Sequence, residues 1–90
     1  MNQAIQFIDR LEFREPTHQL VFFAQVNGML VECVIAVSSL NLADESHATR
    51  YFEQYRFDYE ERAEQLIEDE CYNSAGQIEV SLVKLTSVFS

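Results

Sequence analysis

The clearest pattern lies in two apolar runs. Leu20–Val26 and Met29–Val37 are rich in β-branched and aromatic residues and flank Asn27-Gly28. An Asn-Gly pair between such runs selects a two-residue type I′ turn, whose central residues need positive φ. That turn fixes the register. Val26 faces Met29, Ala24 faces Val31, Phe22 faces Cys33 and Leu20 faces Ile35. All these positions are apolar, so they predict the core face of a hairpin. The opposite face pairs Gln25 with Leu30, Phe23 with Glu32 and Val21 with Val34. A mixed face of this kind predicts partial cover by something else.

From Ser38 to Tyr72 the chain holds neither Gly nor Pro, and the apolar period changes. Ser38, Ser39, Asn41, Asp44 and Ser46 offer N-caps, which predicts a short helical turn near Leu40–Leu42 and then a long helix over 46–72. Ala48, Phe52, Tyr55, Tyr59, Ala63, Leu66 and Ile67 follow the spacing of one helix stripe. Phe57 falls on the opposite, charged face and predicts a bend near Tyr55-Arg56. At the start of the chain, Ile5 and Phe7 alternate with Gln6, which predicts a short strand. Asp9–Thr17 reads as a loop anchored by Phe13.

Asn73–Gly76 carries turn residues, and Ile78, Val80 and Leu82 then alternate with Glu79 and Ser81. This predicts a half-buried strand that returns to the sheet. Val83 and Leu85 shift parity, which predicts a bulge or the end of regular pairing. The tail Ser87–Ser90 is apolar enough to pack on something. The expected fold is α+β, with the order β-β-β-α-α-β. It comprises a small antiparallel sheet led by the Asn-Gly β-hairpin, a long amphipathic helix packed on one face, and a final strand returning to the sheet. Residues 1–90 form a single domain.

Composition narrows the function classes. With 90 residues, there is room for one small domain. Hydrophobic residues make up 48% and charged residues 23%, a globular balance. No apolar run reaches the roughly 18 residues of a spanning helix, so no membrane is expected. The net charge is −9 with six Lys and Arg, which argues against direct binding to nucleic acid. The N-terminus has no basic segment, apolar stretch or cleavage site, and Cys33 and Cys71 do not form a disulfide framework. These features predict a cytoplasmic protein.

The ordered set of residues carries a resemblance. It comprises Ile5-x-Phe7-x-Asp9, Phe22-x-Ala24-x-Val26-x-Gly28, and Val31-x-Cys33-x-Ile35 followed by Leu40. The helix adds Phe52-x-x-x-Arg56-x-x-x-Glu60-x-x-Ala63. From Ile5 to Val83 the chain resembles the small proteobacterial family catalogued as domain of unknown function 1488. It departs from that pattern at Phe13, where the family tends to have Trp, and in the extension beyond Leu82. The resemblance implies a compact α+β domain and no particular activity.

The candidate chemistry is sparse. Cys33, on the inward face, reads as a small hydrophobe. Cys71, among Glu68, Asp69 and Glu70, reads as an unreactive thiol. His18 and His47 lack the spacing of metal ligands, and there is no Gly-rich loop and no nucleophile–base pair. No enzyme activity, metal or cofactor is expected. Charge is the informative feature. Residues 45–72 carry nine acids against three arginines, which accounts for −6 of the total −9. Such a face serves solubility, docks a basic protein partner or mimics nucleic-acid charge.

Phe57 beside Glu61, Glu64 and Glu68 marks the candidate partner-binding surface, because an aromatic in a charged rim is a common interface anchor. The alternative is a pocket for a small anionic ligand between helix and sheet, lined by Tyr51, Tyr55 and Arg56. Arg56 and Glu60 also form an i, i+4 pair. A homodimer is expected from the mixed hairpin face (Val21, Phe23, Leu30, Val34) and the apolar tail.

Overall fold

The computed structural model describes residues 4–36 and 45–82. Strand β1 spans Ile5–Arg14, a 3-10 turn covers Glu15–Thr17, β2 spans Gln19–Val26 and β3 spans Met29–Ala36. Helix α1 spans Glu45–Glu68 and β4 is Ile78–Glu79. The strands form one sheet in the order β1-β2-β3-β4.

The β2–β3 hairpin has the register that the Asn-Gly turn dictates, from Val26 opposite Met29 to Leu20 opposite Ile35. Asn27 and Gly28 both adopt positive φ, at 52° and 84°. Leu20, Phe22, Ala24, Val26, Val31, Cys33 and Ile35 form the sheet side of the main core. Met29 belongs to the same face by parity but stays 69% exposed at the tip.

β1 is longer than the alternation of Ile5 and Phe7 suggests. The segment after Asp9, expected as a loop, remains in the sheet. Between Ile8, opposite Phe23, and Leu11, opposite Phe22, two extra residues are inserted. This bulge absorbs Asp9 and Arg10, and pairing resumes through Phe13 opposite Leu20. Phe13 packs against the main core, as expected of an anchor.

α1 lies across one face of the sheet through Ala48, Phe52, Tyr59, Ala63 and Ile67, all buried, with Tyr55 and Leu66 at the margin. Phe22 is the hub of this contact. Its ring centroid lies 6.0 Å from Phe7, 5.1 Å from Phe52 and 6.5 Å from Tyr59. The helix bends at Tyr55, where φ is −111° and ψ is 21°. With no Pro or Gly there, the bend falls where the rings of Phe52 and three tyrosines crowd together. The helix ends in a Schellman motif: Cys71 N–H donates to Leu66 C=O, and Glu70 N–H donates to Ile67 C=O, both at 2.9 Å. Glu70 occupies the left-handed position that usually takes Gly, with φ 57°.

β4 returns to the sheet as expected, and only its direction departs from the antiparallel pairing of the other strands. It pairs with β3 in parallel, Cys33 with Ile78 and Val34 with Glu79. The connection through α1 carries the chain back to the end at which β3 began, so β4 must run the same way. Val80 extends the contact by donating to Val34 C=O at 2.9 Å. The helical turn near Leu40–Leu42, the parity shift at Val83 and the apolar tail lie outside the described residues.

The second face of the sheet has its own small cluster. Val21, Phe23 and Val34 are buried there, with Ile8 packed against them. Of the four residues behind the homodimer expectation, only Leu30 is exposed, at 51%. Arg14 anchors a polar network beside this cluster. Its guanidinium donates to Glu12 Oε1 at 2.9 Å and to both Glu32 carboxylate oxygens at 3.1 Å. Gln77 donates to Glu32 Oε1 at 2.8 Å, which ties the approach to β4 to β3. The Arg10 guanidinium carbon lies 4.7 Å from the centre of the Phe23 ring.

Candidate functional site

α1 presents two candidate surfaces, one to solvent and one to the sheet. On the solvent side the 4, 3, 4 spacing of Phe57, Glu61, Glu64 and Glu68 places all four on one stripe. The structure leaves each of them exposed. Phe57, two residues past the bend, is 81% exposed. The bend does not turn this ring inward. Among the described residues, Glu61, Glu64 and Glu68 form no salt bridge. The stripe therefore joins an apolar ring to carboxylates with no cation of their own.

On the inner side, Tyr51, Tyr55 and Arg56 are each half-buried, the two tyrosines against each other and Arg56 against Phe52. The Tyr51 and Tyr55 ring centroids are 4.9 Å apart. Tyr59, which sequence reading placed in the core stripe and not at a site, donates its hydroxyl to that of Tyr51 at 3.1 Å. Burial, and then this hydrogen bond, push the Tyr59 phenol well above its ordinary pKa. The spacing Tyr51, Tyr55, Tyr59 is the sequence signal for this ladder.

Arg56 reaches two acids loosely. Its Nη2 lies 3.5 Å from Asp9 and its Nε lies 3.8 Å from Glu60. Asp9 comes from the β1 bulge and its side chain is 97% exposed. The Nε is buried without a hydrogen-bond partner. The guanidinium carbon lies 5.5 Å from the centre of the Phe52 ring. Burial raises the Glu60 carboxyl pKa, and Arg56 opposes that rise. Cys33 is pushed up to about 12 by burial, with the charge of Glu60 adding to the effect. A thiol in that state is packing material and not a nucleophile at neutral pH.

Neither histidine joins these clusters. His18 is exposed in a left-handed conformation after the 3-10 turn, and His47 is exposed near the start of α1. Among the described residues, no group of three His, Cys, Asp or Glu side chains is arranged to hold a metal ion. No helix among them is long and apolar enough to cross a membrane.

This sheet order, with its helix and bulged first strand, can be set beside known proteins. A family model described as a protein of unknown function (DUF1488) matches residues 5–80. The chain belongs to the DUF1488 family. It is 39% identical over 82 residues to the uncharacterized protein YrdB of Escherichia coli K12, an alignment covering 87% of this chain and 96% of that one. The corresponding protein of Shigella flexneri is 38% identical over the same shares. Among solved structures, a DUF1488 protein of unknown function from Shewanella loihica PV-4 matches with a TM-score of 0.80 at 36% identity. That match covers 90% of this chain and 99% of the other. Family membership fixes the fold and carries no assigned activity.

Proposed function

We propose that this DUF1488 protein is a non-enzymatic interaction module of the cytoplasm that docks a basic protein partner through the solvent stripe of α1. The observation that carries the reading is Phe57, 81% exposed beside carboxylates that form no salt bridge among the described residues. An exposed aromatic costs solubility and contributes nothing to the core. Surrounded by uncompensated acids, it suits a partner that offers an apolar pocket rimmed by Lys and Arg.

The test combines capture from native bacterial lysate with titration of the purified captured protein. Wild type is compared with Phe57→Ala and with the triple variant Glu61→Lys, Glu64→Lys, Glu68→Lys. All four residues are exposed, so the variants are expected to fold as wild type does. A basic protein that binds wild type, weakens as salt rises and is lost with either variant supports the reading. Equal binding to all three proteins, or no basic partner at all, ends it.

A second reading rests on Arg56, whose buried Nε lacks a hydrogen-bond partner while its acidic neighbours stand back. In this reading, Tyr51, Tyr55 and Arg56 receive a small anionic ligand that replaces the loosely held acids at the guanidinium. A thermal-shift screen with anionic metabolites tests it. Stabilisation that Arg56→Gln abolishes supports it, and no stabilised condition counts against it.

A further inference from the structure

We propose that Asn27 is a site of covalent self-modification, in which its side chain is deamidated through attack by the Gly28 main-chain amide. The reaction needs a backbone nitrogen that reaches the side-chain amide carbon and a free leaving group. The type I′ turn points the Gly28 nitrogen away from that carbon, so attack follows rotation about the Asn27 Cα–C bond at the exposed tip. Both residues are exposed. Among the described residues no hydrogen bond engages the Gly28 N–H, and a Cβ added at Gly28 would meet no atom within 4 Å. The following residue therefore places no side chain in the path of ring closure. The Asn27 Oδ1 accepts a hydrogen bond from Ala4 N–H at 3.4 Å. That single long contact restrains the Asn27 amide far less than the network around Asn73. The Asn27 Nδ2 makes no hydrogen bond with a described residue, so the amine is free to leave.

The chemistry balances with water alone. Solvent base removes the Gly28 N–H proton, and that nitrogen bonds to Asn27 Cγ. The Cγ–Nδ2 bond then breaks, ammonia takes up a proton and departs, and a five-membered succinimide remains. One water opens the ring at either carbonyl. The product is aspartate, or isoaspartate in which the main chain runs through the side-chain carbon. Either product adds one negative charge. The isoaspartate form also lengthens the turn whose two positive φ angles set the hairpin register, so it disturbs the pairing of Val26 with Met29.

Asn73 is the internal control. Its Oδ1 accepts from Ala75 N–H and Gln77 N–H, both at 2.9 Å, and its Nδ2 donates to Gln77 and Glu79 at 3.2 and 2.9 Å. The next residue is Ser74, which carries a side chain. The Asn73 side-chain amide is held at both its oxygen and its nitrogen, so its carbon is not free to turn toward the Ser74 main-chain nitrogen.

The experiment incubates the folded protein in warm, mildly alkaline buffer and maps its peptides by mass. Isoaspartate is detected by enzymatic methylation and released ammonia is measured alongside. The expected result is conversion at Asn27 well ahead of Asn73, one added negative charge on native isoelectric focusing, and matching ammonia. Gly28→Ala slows conversion at Asn27 toward the Asn73 rate. Asn27→Asp, which carries the same added charge on an ordinary backbone, keeps the wild-type unfolding midpoint, whereas the isoaspartate fraction loses part of it. Conversion led by Asn73, no conversion at Asn27, or equal rates in Gly28→Ala and wild type overturns the proposal.

Discussion

Glu70 is a test of how much backbone strain this small domain carries. It occupies the left-handed position of the Schellman motif with φ 57°. A residue with a Cβ pays roughly 1–2 kcal/mol in that region. Glycine pays nothing there but gives up about 0.5–1 kcal/mol more unfolded-state entropy. The net backbone gain of Glu70→Gly is then about 0.5–1 kcal/mol. Removing a carboxylate from the end of a helix with no basic residue in its last turn adds about 0.3 kcal/mol at low salt. Together these raise stability by about 1 kcal/mol, or roughly 4–8 °C in Tm for a domain of this size. Glu70→Ala removes the charge and keeps the strain, so it gains only the smaller, salt-sensitive part. Urea unfolding of all three proteins at low and high salt, followed by far-ultraviolet circular dichroism, separates the two contributions. If Glu70→Gly is no more stable than Glu70→Ala, the strain argument fails.

Three further outcomes follow from the packing and the charges. Phe22→Ala removes the ring between Phe7, Phe52 and Tyr59, and the loss of about 3–5 kcal/mol should abolish or severely weaken cooperative thermal unfolding. Phe57→Ser should leave the urea midpoint within about 0.5 kcal/mol of wild type, since the residue is 81% exposed. A large loss would show that Phe57 is structural. Glu32 and Glu60 should shape the pH profile in opposite senses. Hydrogen bonds from Arg14 and then Gln77 lower the Glu32 pKa, so its contribution is present above the ordinary carboxylate range and is lost as pH falls through the depressed value. Burial raises the Glu60 pKa, so its contribution is full below the ordinary value and is lost as pH rises through the raised one. Urea midpoints against pH should therefore flatten on the acid side in Glu32→Gln and above the ordinary carboxylate range in Glu60→Gln. Unchanged slopes in both would refute the assignment.

The hairpin was legible because a two-residue turn leaves one register and every residue follows from it. The α1 stripe and its bend were legible from spacing, with Phe57 as the misfit. β1 was under-read for a local reason. Asp9, Arg10, Glu12 and Arg14 look like a loop, yet Glu12 and Arg14 sit on the second sheet face, where they pair with each other and with Glu32. The direction of β4 was not legible because two residues pair as readily either way. The path of α1 decides between them. At the candidate sites, sequence alone placed Phe57 and the glutamates together. Asp9 near Arg56 required the bulge, which brings residues from distant parts of the chain to one place.

The bulge has a second consequence, which concerns what the protein avoids. β1 is the outer strand of the sheet, and a straight ten-residue edge would offer its free N–H and C=O groups to any extended chain. Two extra residues in the middle interrupt that row, and both are charged. A strand arriving at this edge meets pairing sites that fall out of step, and it must strip water from Asp9. The same irregularity that brings a carboxylate to Arg56 thus guards the sheet against growing outward into aggregates, and deleting Asp9 and Arg10 would restore a continuous edge on which growth could begin.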